Sequence, residues 1–257
     1  MRQRPLQPFG LEVRDVALDD LSEREPMALR ALIGRGRVVV FRDQTLDDCA
    51  FVKALSNLGE MMFTDGETPV PGSPELNLVT NVGRARTPRS VFHTDTSYVS
   101  RPPAFTALRA VEVPKSGGAT LFSDQVAALR SLPARVQSWL SGRTLRHAYG
   151  TEALPEEECW HPALRRHPET GEAALYLSTP ERCDAFSDAD CDMSRRIIAL
   201  LYRRSCRASR LYRHDWQSGD VVIWDDRLTL HRADHSAVVG ARTFHRGMVR
   251  GERPIAA

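Results

Sequence analysis

The sequence predicts a mainly β fold, a sandwich or barrel with helical cover, built as one domain over residues 1–257. Short segments rich in strand-forming residues dominate the middle and the end of the chain. Helical patterns gather near the start and before the last strands. A chain of 257 residues, 42% hydrophobic and 26% charged, is long enough for one substantial core.

Five helices are predicted from apolar residues at helical spacing and from residues that cap helices. In chain order they cover residues 21–33, 45–58, 123–129, 133–140 and 188–207. Gly34 and Gly36 end the first helix, Thr45 or Asp47 caps the second, and Pro133 suits the first turn of the fourth. The last helix is amphipathic, and its apolar stripe consists of Met193, Ile197, Leu200 and Leu201.

Eight strands are predicted from apolar or alternating runs that are bounded by turn residues. They cover residues 37–41, 76–79, 104–113, 119–122, 144–149, 173–177, 220–224 and 243–250. The turn sequence 114–118 predicts that the third and fourth strands form a β-hairpin. Prolines and glycines predict loops over 64–74, over 84–90 and between the fifth and sixth strands.

Composition excludes several classes of partner. The net charge is only +2, from 35 basic and 33 acidic residues, so no overall field attracts nucleic acid or an anionic membrane. No run of about eighteen apolar residues is present to span a membrane. The five cysteines contain no Cys-x-x-Cys and indicate reduced thiols in the cytoplasm rather than a disulfide framework or a cysteine-ligated zinc site. We expect a small-molecule substrate, and a homo-oligomer stays possible.

The segment 91–98 contains a histidine and a carboxylate two residues apart, His93 and Asp95. In an extended segment alternate side chains share a face, so both can reach one metal ion. Two histidines and one carboxylate on one side of a metal leave the opposite positions open, as in non-haem Fe(II) oxygenases. Alone, such a pair is more often coincidental, with a histidine that merely packs.

Four histidines near the end of the chain are candidates for the third ligand: His214, His231, His235 and His245. We favour His231, because it follows the very apolar strand 220–224 and can lie where a buried strand emerges. The three ligands would then join distant strands of one barrel.

The strand 243–250 and the residue before it place two arginines on one face. Period two puts Arg242, Phe244, Arg246 and Met248 on the same side. A guanidinium among large apolar residues needs an anion, and its planar fork binds a carboxylate through two parallel hydrogen bonds. For Arg246 a structural salt bridge to an acidic side chain is an equally good interpretation.

With these residues placed, the chain resembles the Fe(II)- and 2-oxoglutarate-dependent dioxygenases of the taurine dioxygenase and 2,4-dichlorophenoxyacetate dioxygenase family. The resemblance extends over nearly the whole chain and is carried by several motifs in order. They are Val39-Val40-Phe41-Arg42-Asp43-Gln44, Phe92-His93-Thr94-Asp95, Gly117-Gly118-Ala119-Thr120-Leu121-Phe122, His167-Pro168-Glu169-Thr170-Gly171, 216–226, His231 and 242–246.

The resemblance implies a double-stranded β-helix (jelly-roll) core in which His93, Asp95 and His231 bind Fe(II). It implies that Arg242 and Thr120 bind the distal carboxylate of 2-oxoglutarate. A further set is implied to contact an anionic substrate: the side chain of Arg246 and the backbone of Thr96. The chain departs from the family at Ala119, where an acidic residue is usual, and at Asp226, where asparagine is usual.

The activity implied is oxidation by O2 of a C–H bond of a small carboxylate or sulfonate, with release of succinate and CO2. Hydroxylation is the default, and desaturation, cyclisation or fragmentation stay open. The alternative is a jelly-roll metal-dependent hydrolase or isomerase that uses the same His/Asp/His site without 2-oxoglutarate. A non-catalytic binding domain with packed histidines is a third interpretation.

Overall fold

The computed structural model describes residues 1–84, 90–150 and 158–257. Its strands are β1 Arg2–Pro5, β2 Leu11–Arg14, β3 Val38–Phe41, β4 Met61–Met62, β5 Pro69–Val70, β6 Ser73–Thr80, β7 Pro103–Glu112, β8 Thr120–Asp124, β9 Thr144–Ala148, β10 Glu158–Pro162, β11 Leu164–Arg166, β12 Ala173–Leu175, β13 Leu211–His214, β14 Val221–Asp225, β15 Thr229–Ala233, β16 Thr243–Arg250 and β17 Ile255–Ala256. Its α-helices are α1 Leu18–Arg24, α2 Pro26–Gly36, α3 Asp48–Ser56, α4 Gln125–Arg130, α5 Ala134–Leu140 and α6 Cys191–Ser205.

Among the described residues, nine strands form the larger sheet, in the order β1-β2-β3-β14-β7-β16-β6-β5 with β4 also paired to β16. A smaller sheet has the order β13-β8-β15. Two further small sheets, β10-β9 and β12-β11-β17, extend the fold. The functional residues predicted from the sequence lie on or beside β8, β15 and β16, which belong to the two principal sheets.

The central strand β14 is apolar throughout because both of its faces are covered. Val221 and Ile223 belong to the core under the helices of the first sixty residues. Val222 and Trp224 belong to a second core, between the larger and the smaller sheet. In that second core the ring of Trp224 lies 5.3 Å from the ring of Phe122 on β8, centre to centre. The two sheets therefore face one another, with an aromatic layer between them.

Helices also cover the outer face of the smaller sheet. Leu121 of β8 and Leu230 of β15 pack in one cluster with Ile198 and Leu201 of α6. Each principal sheet thus has helical cover on its outer face and the other sheet on its inner face. The predicted mainly β fold with helical cover and a jelly-roll core is confirmed.

The predicted helix 21–33 is wrong in its extent, since two helices, α1 and α2, stand there. Glu25 separates them with φ −137° and ψ 55°, because the ring of the following Pro26 disfavours helical backbone at the preceding residue. Asp47 caps α3 as predicted, and its side chain accepts a hydrogen bond from the backbone N–H of Ala50. Asp124 caps α4 in the same way.

The predicted β-hairpin is wrong. β7 pairs with β14 and β16 in the larger sheet, whereas β8 pairs with β13 and β15 in the smaller one. The glycine turn between β7 and β8 therefore carries the chain from one sheet to the other. Turn chemistry alone does not distinguish these two outcomes.

Three other predictions need correction. The buried face of α6 consists of Ser194, Ile198, Leu201 and Ser205, while Met193 and Leu200 of the predicted stripe are 44% and 43% exposed. Strands β10 and β11 lie where a loop was predicted, and β5 lies inside the predicted loop 64–74. Residues 85–89 of the predicted loop 84–90 lie outside the described residues.

In the described part of the chain, no helix has the length and apolar character needed to cross a membrane.

Candidate metal centre

Two of the predicted ligands are brought together by backbone pairing. His231 lies in β15, and its N–H donates to the carbonyl oxygen of His93 at 2.8 Å. The N–H of His93 donates back to the carbonyl oxygen of His231 at 3.0 Å. This single antiparallel bridge places the two imidazole rings 4.3 Å apart, centre to centre.

The third predicted ligand completes the cluster. Asp95 Oδ1 lies 3.4 Å from His93 Nε2, and Asp95 Oδ2 lies 3.7 Å from His231 Nε2. The ligand atoms of the three side chains all lie within 4.8 Å of one another. The extended segment is shorter than the sequence predicts, because a turn begins at Asp95 and Thr96 has φ 41°. Even so, the three side chains converge as predicted.

The protonation states suit a divalent cation. His93 Nδ1–H donates to the carbonyl oxygen of Val91 at 2.9 Å, which leaves Nε2 with its lone pair facing the cluster. Burial is the main cause that lowers the pKa of His231 to about 3, so this imidazole is neutral. Burial opposes ionisation of Asp95, but the electrostatic interactions of this carboxylate with the neighbouring His231 and Arg246 outweigh it and hold the pKa of Asp95 well below its usual value. Two imidazoles and one carboxylate are a donor set that holds Fe(II) or a similar metal.

A hydrogen-bonded carboxyl pair fixes the orientation of Asp95. Thr106 Oγ1 lies 3.0 Å from Asp95 Oδ2 and 2.5 Å from Asp226 Oδ2. Burial first, and then the charge of Asp95, raise the pKa of Asp226 well above its usual value. Since the Thr106 hydroxyl has one hydrogen to donate, we assign that hydrogen to Asp95, while the protonated Asp226 donates to Thr106. Trp224 Nε1–H donates to the other oxygen of Asp226 at 3.1 Å.

Arg242 is a buried cation, 3% exposed, that precedes β16. Its Nε–H donates to the carbonyl oxygen of Gly118 at 3.0 Å, and its guanidinium carbon lies 4.2 Å from the centre of the Phe244 ring. No carboxylate in the described part of the chain forms a salt bridge with it. Burial lowers the pKa of Arg242 to about 10, which still leaves it charged at neutral pH.

Gly118 permits this close approach. It has φ +74°, and a Cβ atom there would lie 3.0 Å from Arg242 Cδ. Thr120, at the start of β8, lines the same cavity as Arg242. Its Oγ1 accepts a hydrogen bond from Trp216 Nε1–H at 3.0 Å, so the Thr120 hydroxyl hydrogen is free to point at an acceptor in that cavity.

Arg246 lies in β16, four residues after Arg242 and on the same face of the strand, but its surroundings differ from those of Arg242. Its Nη2 lies 3.2 Å from Glu67 Oε1, and its Nη1 lies 3.7 Å from Asp95 Oδ1. The structural salt bridge that the sequence left open is therefore present. Thr96 is nearby and buried, and its hydroxyl lies 3.1 Å from that of Thr64.

Two cavities meet at the metal centre. The Arg242 cavity, of about 310 Å³, includes Thr120, His231 and Arg242 in its lining. The Tyr98 cavity, of about 150 Å³, has a lining that includes Thr64, Asp95, Thr96, Tyr98, Tyr149 and Arg182. His93, Glu67 and Arg246 line both cavities. All seven site residues predicted from the sequence thus line one or both of these connected spaces.

A family model described as "Taurine catabolism dioxygenase TauD, TfdA family" matches residues 2–248. The chain belongs to this family. Membership of the TauD, TfdA family makes the protein an oxidoreductase of the dioxygenase class, as the sequence predicts.

Individual relatives agree with this membership. An alpha-ketoglutarate-dependent sulfate ester dioxygenase of Pseudomonas putida is 30% identical over 96% of this chain and 88% of its own length. An alpha-ketoglutarate-dependent 2,4-dichlorophenoxyacetate dioxygenase of Cupriavidus pinatubonensis is 28% identical over 94% of this chain and 95% of its own length. The crystal structure of a taurine dioxygenase from Burkholderia xenovorans, 28% identical, matches 99% of this chain and 91% of its own with a TM-score of 0.87.

Sequence reasoning missed the residues that support this TauD, TfdA family site. Thr106 donates a hydrogen bond to Asp95, and Trp216 donates one to Thr120. Both partners lie in other segments of the chain, so no local sequence pattern predicts these contacts. Asp226 was visible only as a departure from the family. Arg182 lies in a connecting segment without periodicity or a motif, and Tyr149, the last residue of the predicted strand 144–149, lies just after the observed end of β9 at Ala148.

Proposed function

We propose that this protein is an Fe(II)- and 2-oxoglutarate-dependent dioxygenase that oxidises, and by default hydroxylates, a C–H bond of a small anionic substrate. One oxygen atom of O2 enters the product, and the other enters succinate, which is released with CO2. The observation that carries the proposal is Arg242, a buried guanidinium without a carboxylate partner among the described residues, in a cavity that also contains His93 and His231. A buried cation of this kind needs an anionic ligand.

His93, Asp95 and His231 are the proposed iron ligands. Bound ferrous iron would supply the redox chemistry through which 2-oxoglutarate and O2 are consumed. The positions of the three ligands are set by contacts within the chain. The His93–His231 backbone bridge sets the positions of both histidines, and the hydrogen bond from Thr106 orients the carboxylate of Asp95. Asp95 and His231 are buried, so their side chains expose little surface to bulk water.

Arg242 and Thr120 are the proposed binding residues for the distal carboxylate of 2-oxoglutarate. The guanidinium offers Nη hydrogens in a planar fork, and its Nε–H is already bound to Gly118, which fixes the direction of the fork. Trp216 occupies the acceptor side of the Thr120 hydroxyl and leaves its hydrogen for the same carboxylate. The co-substrate would thereby be oriented from its far end.

Arg246 and the backbone of Thr96 are the proposed contacts for the acidic group of the substrate. Both line the Tyr98 cavity beside Asp95. Two relatives are named for a sulfate ester and for 2,4-dichlorophenoxyacetate, which are small anions. An incoming acid would replace Glu67 as the partner of Arg246, and Glu67, whose side chain is 40% exposed, would return to water at little cost.

A metal-dependent hydrolase or isomerase with the same three ligands is the alternative that the sequence leaves open. Arg242 and Thr120 distinguish the two, since a hydrolase has no need for a second acid-binding site beside the metal. Membership of a dioxygenase family points the same way.

Three broader predictions accompany this proposal. One domain is proposed to extend over residues 1–257. A cytoplasmic location is proposed from the five cysteines, all of which are free. A small molecule, rather than nucleic acid or a membrane, is the proposed partner, in keeping with a net charge of +2.

The test is succinate release by the protein loaded with Fe(II), with and without O2, 2-oxoglutarate and candidate substrates. Candidates are alkanesulfonates, alkyl sulfates, aryloxyacetates and amino-acid-derived carboxylates. We expect oxygen-dependent succinate release that one substrate class stimulates, and no release from protein loaded with Zn(II). Substrate conversion that proceeds equally well without 2-oxoglutarate would overturn the proposal in favour of the hydrolase or isomerase.

A further inference from the structure

The Tyr98 cavity contains a second guanidinium, that of Arg182, in addition to Arg246. Arg182 lies between β12 and α6, and its backbone is held on both sides. Its N–H donates to the carbonyl oxygen of Thr179, and its carbonyl oxygen accepts from the N–H of Ala148 at the end of β9, both at 2.9 Å. The position of Arg182 at the cavity wall is therefore fixed by backbone hydrogen bonds.

Arg182 and Arg246 differ in their partners. Arg246 contacts the carboxylates of Glu67 and Asp95. No carboxylate of the described residues lies within 4.0 Å of the guanidinium nitrogens of Arg182, and the aromatic contact that is present has its guanidinium carbon 5.7 Å from the centre of the Tyr98 ring. The fork of Arg182 is thus available to an acidic ligand in the cavity.

The rest of the wall limits what that ligand is. Tyr98 and Tyr149 meet edge to face, with ring centres 5.1 Å apart. The cavity volume of about 150 Å³ favours a small ligand. Arg246 also lines the Arg242 cavity, whereas Arg182 lines a neighbouring space with Tyr149 and Thr179. The two guanidiniums therefore lie in different parts of one small cavity that has an aromatic wall. Arg246 lies towards the Arg242 cavity, and Arg182 lies towards the space lined by Tyr149 and Thr179.

We propose that Arg182 is a specificity-determining residue that binds a second acidic group of the substrate. The preferred substrate is then a small molecule with two acidic groups, one at Arg246 and the other at Arg182, with its carbon chain against Tyr98 and Tyr149. This inference rests on the proposed function and deepens it. The resemblance to the family implies one acidic group of the substrate, at Arg246, and Arg182 adds a binding position for a second.

The experiment uses matched probes: alkanesulfonates of two to five carbons, and sulfonates of the same lengths that carry a terminal carboxylate. Succinate release gives kcat/KM for each pair. In the parent protein we expect the best diacid to exceed its monoacid by about 10-fold or more, as one charge-assisted contact allows. Arg182→Gln should raise the KM of the diacid by a similar factor, with kcat and the monoacid KM unchanged.

Three further variants sharpen the result. Arg182→Lys should restore part of the preference for diacids, because the charge returns without the planar fork. Arg246→Gln should raise KM for both members of a pair. Arg213→Gln, at an exposed arginine of β13 that is paired with Asp215 and Asp234, should change neither.

Binding is also measured without turnover, by calorimetric titration of the same probes in the absence of oxygen. This titration separates the two hypotheses. Succinate release that never depends on Fe(II) would remove the proposed function, while tighter binding of diacids that Arg182→Gln abolishes would still support the role of Arg182. Equal binding of diacids and monoacids, tighter binding of an ammonium-bearing analogue, or a preference that survives in Arg182→Gln would overturn the role of Arg182.

Discussion

Arg242 and Arg246 lie four residues apart on one face of the chain, yet they stand in opposite electrostatic situations. Arg242 is 3% exposed and has no carboxylate partner among the described residues. Arg246 contacts Glu67 and Asp95. One end of the candidate site thus has a buried cation without an internal carboxylate partner, and the other end has a cation with two such partners.

The difference shows how one strand face can serve two ligands. A buried unpaired cation destabilises the free protein, so it persists where a ligand supplies the anion. A cation paired within the protein gives affinity only after the internal partner is displaced. The Arg242 end should therefore bind one fixed acid tightly, whereas the Arg246 end can accept different acids in exchange for Glu67.

The largest expected effect is on the co-substrate. Arg242→Ala should raise the KM for 2-oxoglutarate by about 100-fold, since it removes one partner of a buried charge pair. Arg242→Lys should recover only part of the loss, because lysine lacks the planar fork. Steady-state succinate release measures both. Arg246→Ala is the matched control and should leave the KM for 2-oxoglutarate nearly unchanged; an equal rise in both variants would erase the distinction between the two ends.

The same contrast should appear in stability without ligands. Arg242→Met should increase the free energy of unfolding by about 1–2 kcal/mol, because it removes an unpaired buried charge. Arg246→Met should decrease it by a similar amount, because Asp95 loses a compensating cation. Urea unfolding of the metal-free protein measures the two changes. If both variants changed the free energy of unfolding in the same direction, Arg242 would not be an unpaired buried cation.

A pH effect should arise at the substrate end, where a buried histidine holds the turn after Asp95. His161 Nε2–H donates to the carbonyl oxygens of Ser97 and Val99, and burial lowers the pKa of His161 to about 4. An unfolded histidine has a pKa near 6.5, so the unfolded chain takes up this proton first as the pH falls. The contribution of the neutral His161 to the free energy of unfolding is fully present above about pH 6.5 and is lost as the pH falls towards about 4.

At pH 5.5 the protonation of this one histidine in the unfolded chain should lower the free energy of unfolding by about 1 kcal/mol relative to neutral pH. Burial also lowers the pKa of His147 and adds to the loss in the same direction. His161→Gln keeps an N–H donor that does not titrate, so urea unfolding at pH 7.5 and 5.5 should show a smaller loss in this variant than in the parent. Identical losses would rule out His161 as a source of acid sensitivity.

The smallest effect concerns Glu67. If an incoming acid competes with Glu67 for Arg246, then Glu67→Gln should lower the KM for an anionic substrate by about two- to fivefold, in line with a partly exposed ion pair. The KM for 2-oxoglutarate should not change, because Arg242 has no such competitor in the described structure. A higher substrate KM in this variant would show that Glu67 assists binding rather than competes.

The sequence alone predicted the candidate site residues that follow the two-residue alternation of an extended chain or that lie beside a strongly apolar strand. Alternation placed His93 with Asp95 and Arg242 with Arg246, and the apolar run before His231 singled it out among four histidines. What failed depends on packing between distant elements. The turn 114–118 reads as a hairpin, yet it crosses between sheets.

The contacts of the residues that support the candidate site could not be predicted from the sequence either. Thr106 orients Asp95 because β7 passes beside the segment that follows His93, and Trp216 reaches Thr120 only in the folded chain. The predicted stripe on α6 was only partly right, because Ile198 and Leu201 face the core together with the small Ser194 and Ser205, whereas Met193 and Leu200 are exposed. Hydrophobicity alone therefore does not identify the buried face of this helix.

The most direct test of the central claim is spectroscopic. Fe(II) and 2-oxoglutarate are added to the protein without oxygen, and the weak visible charge-transfer band of the iron–keto acid chelate is recorded for the parent, His231→Ala and Arg242→Ala. We expect a band in the parent, none in His231→Ala, and in Arg242→Ala a band that needs about 100-fold more 2-oxoglutarate. A parent protein without the band, or a band of full strength in His231→Ala at the same concentrations, would contradict this claim.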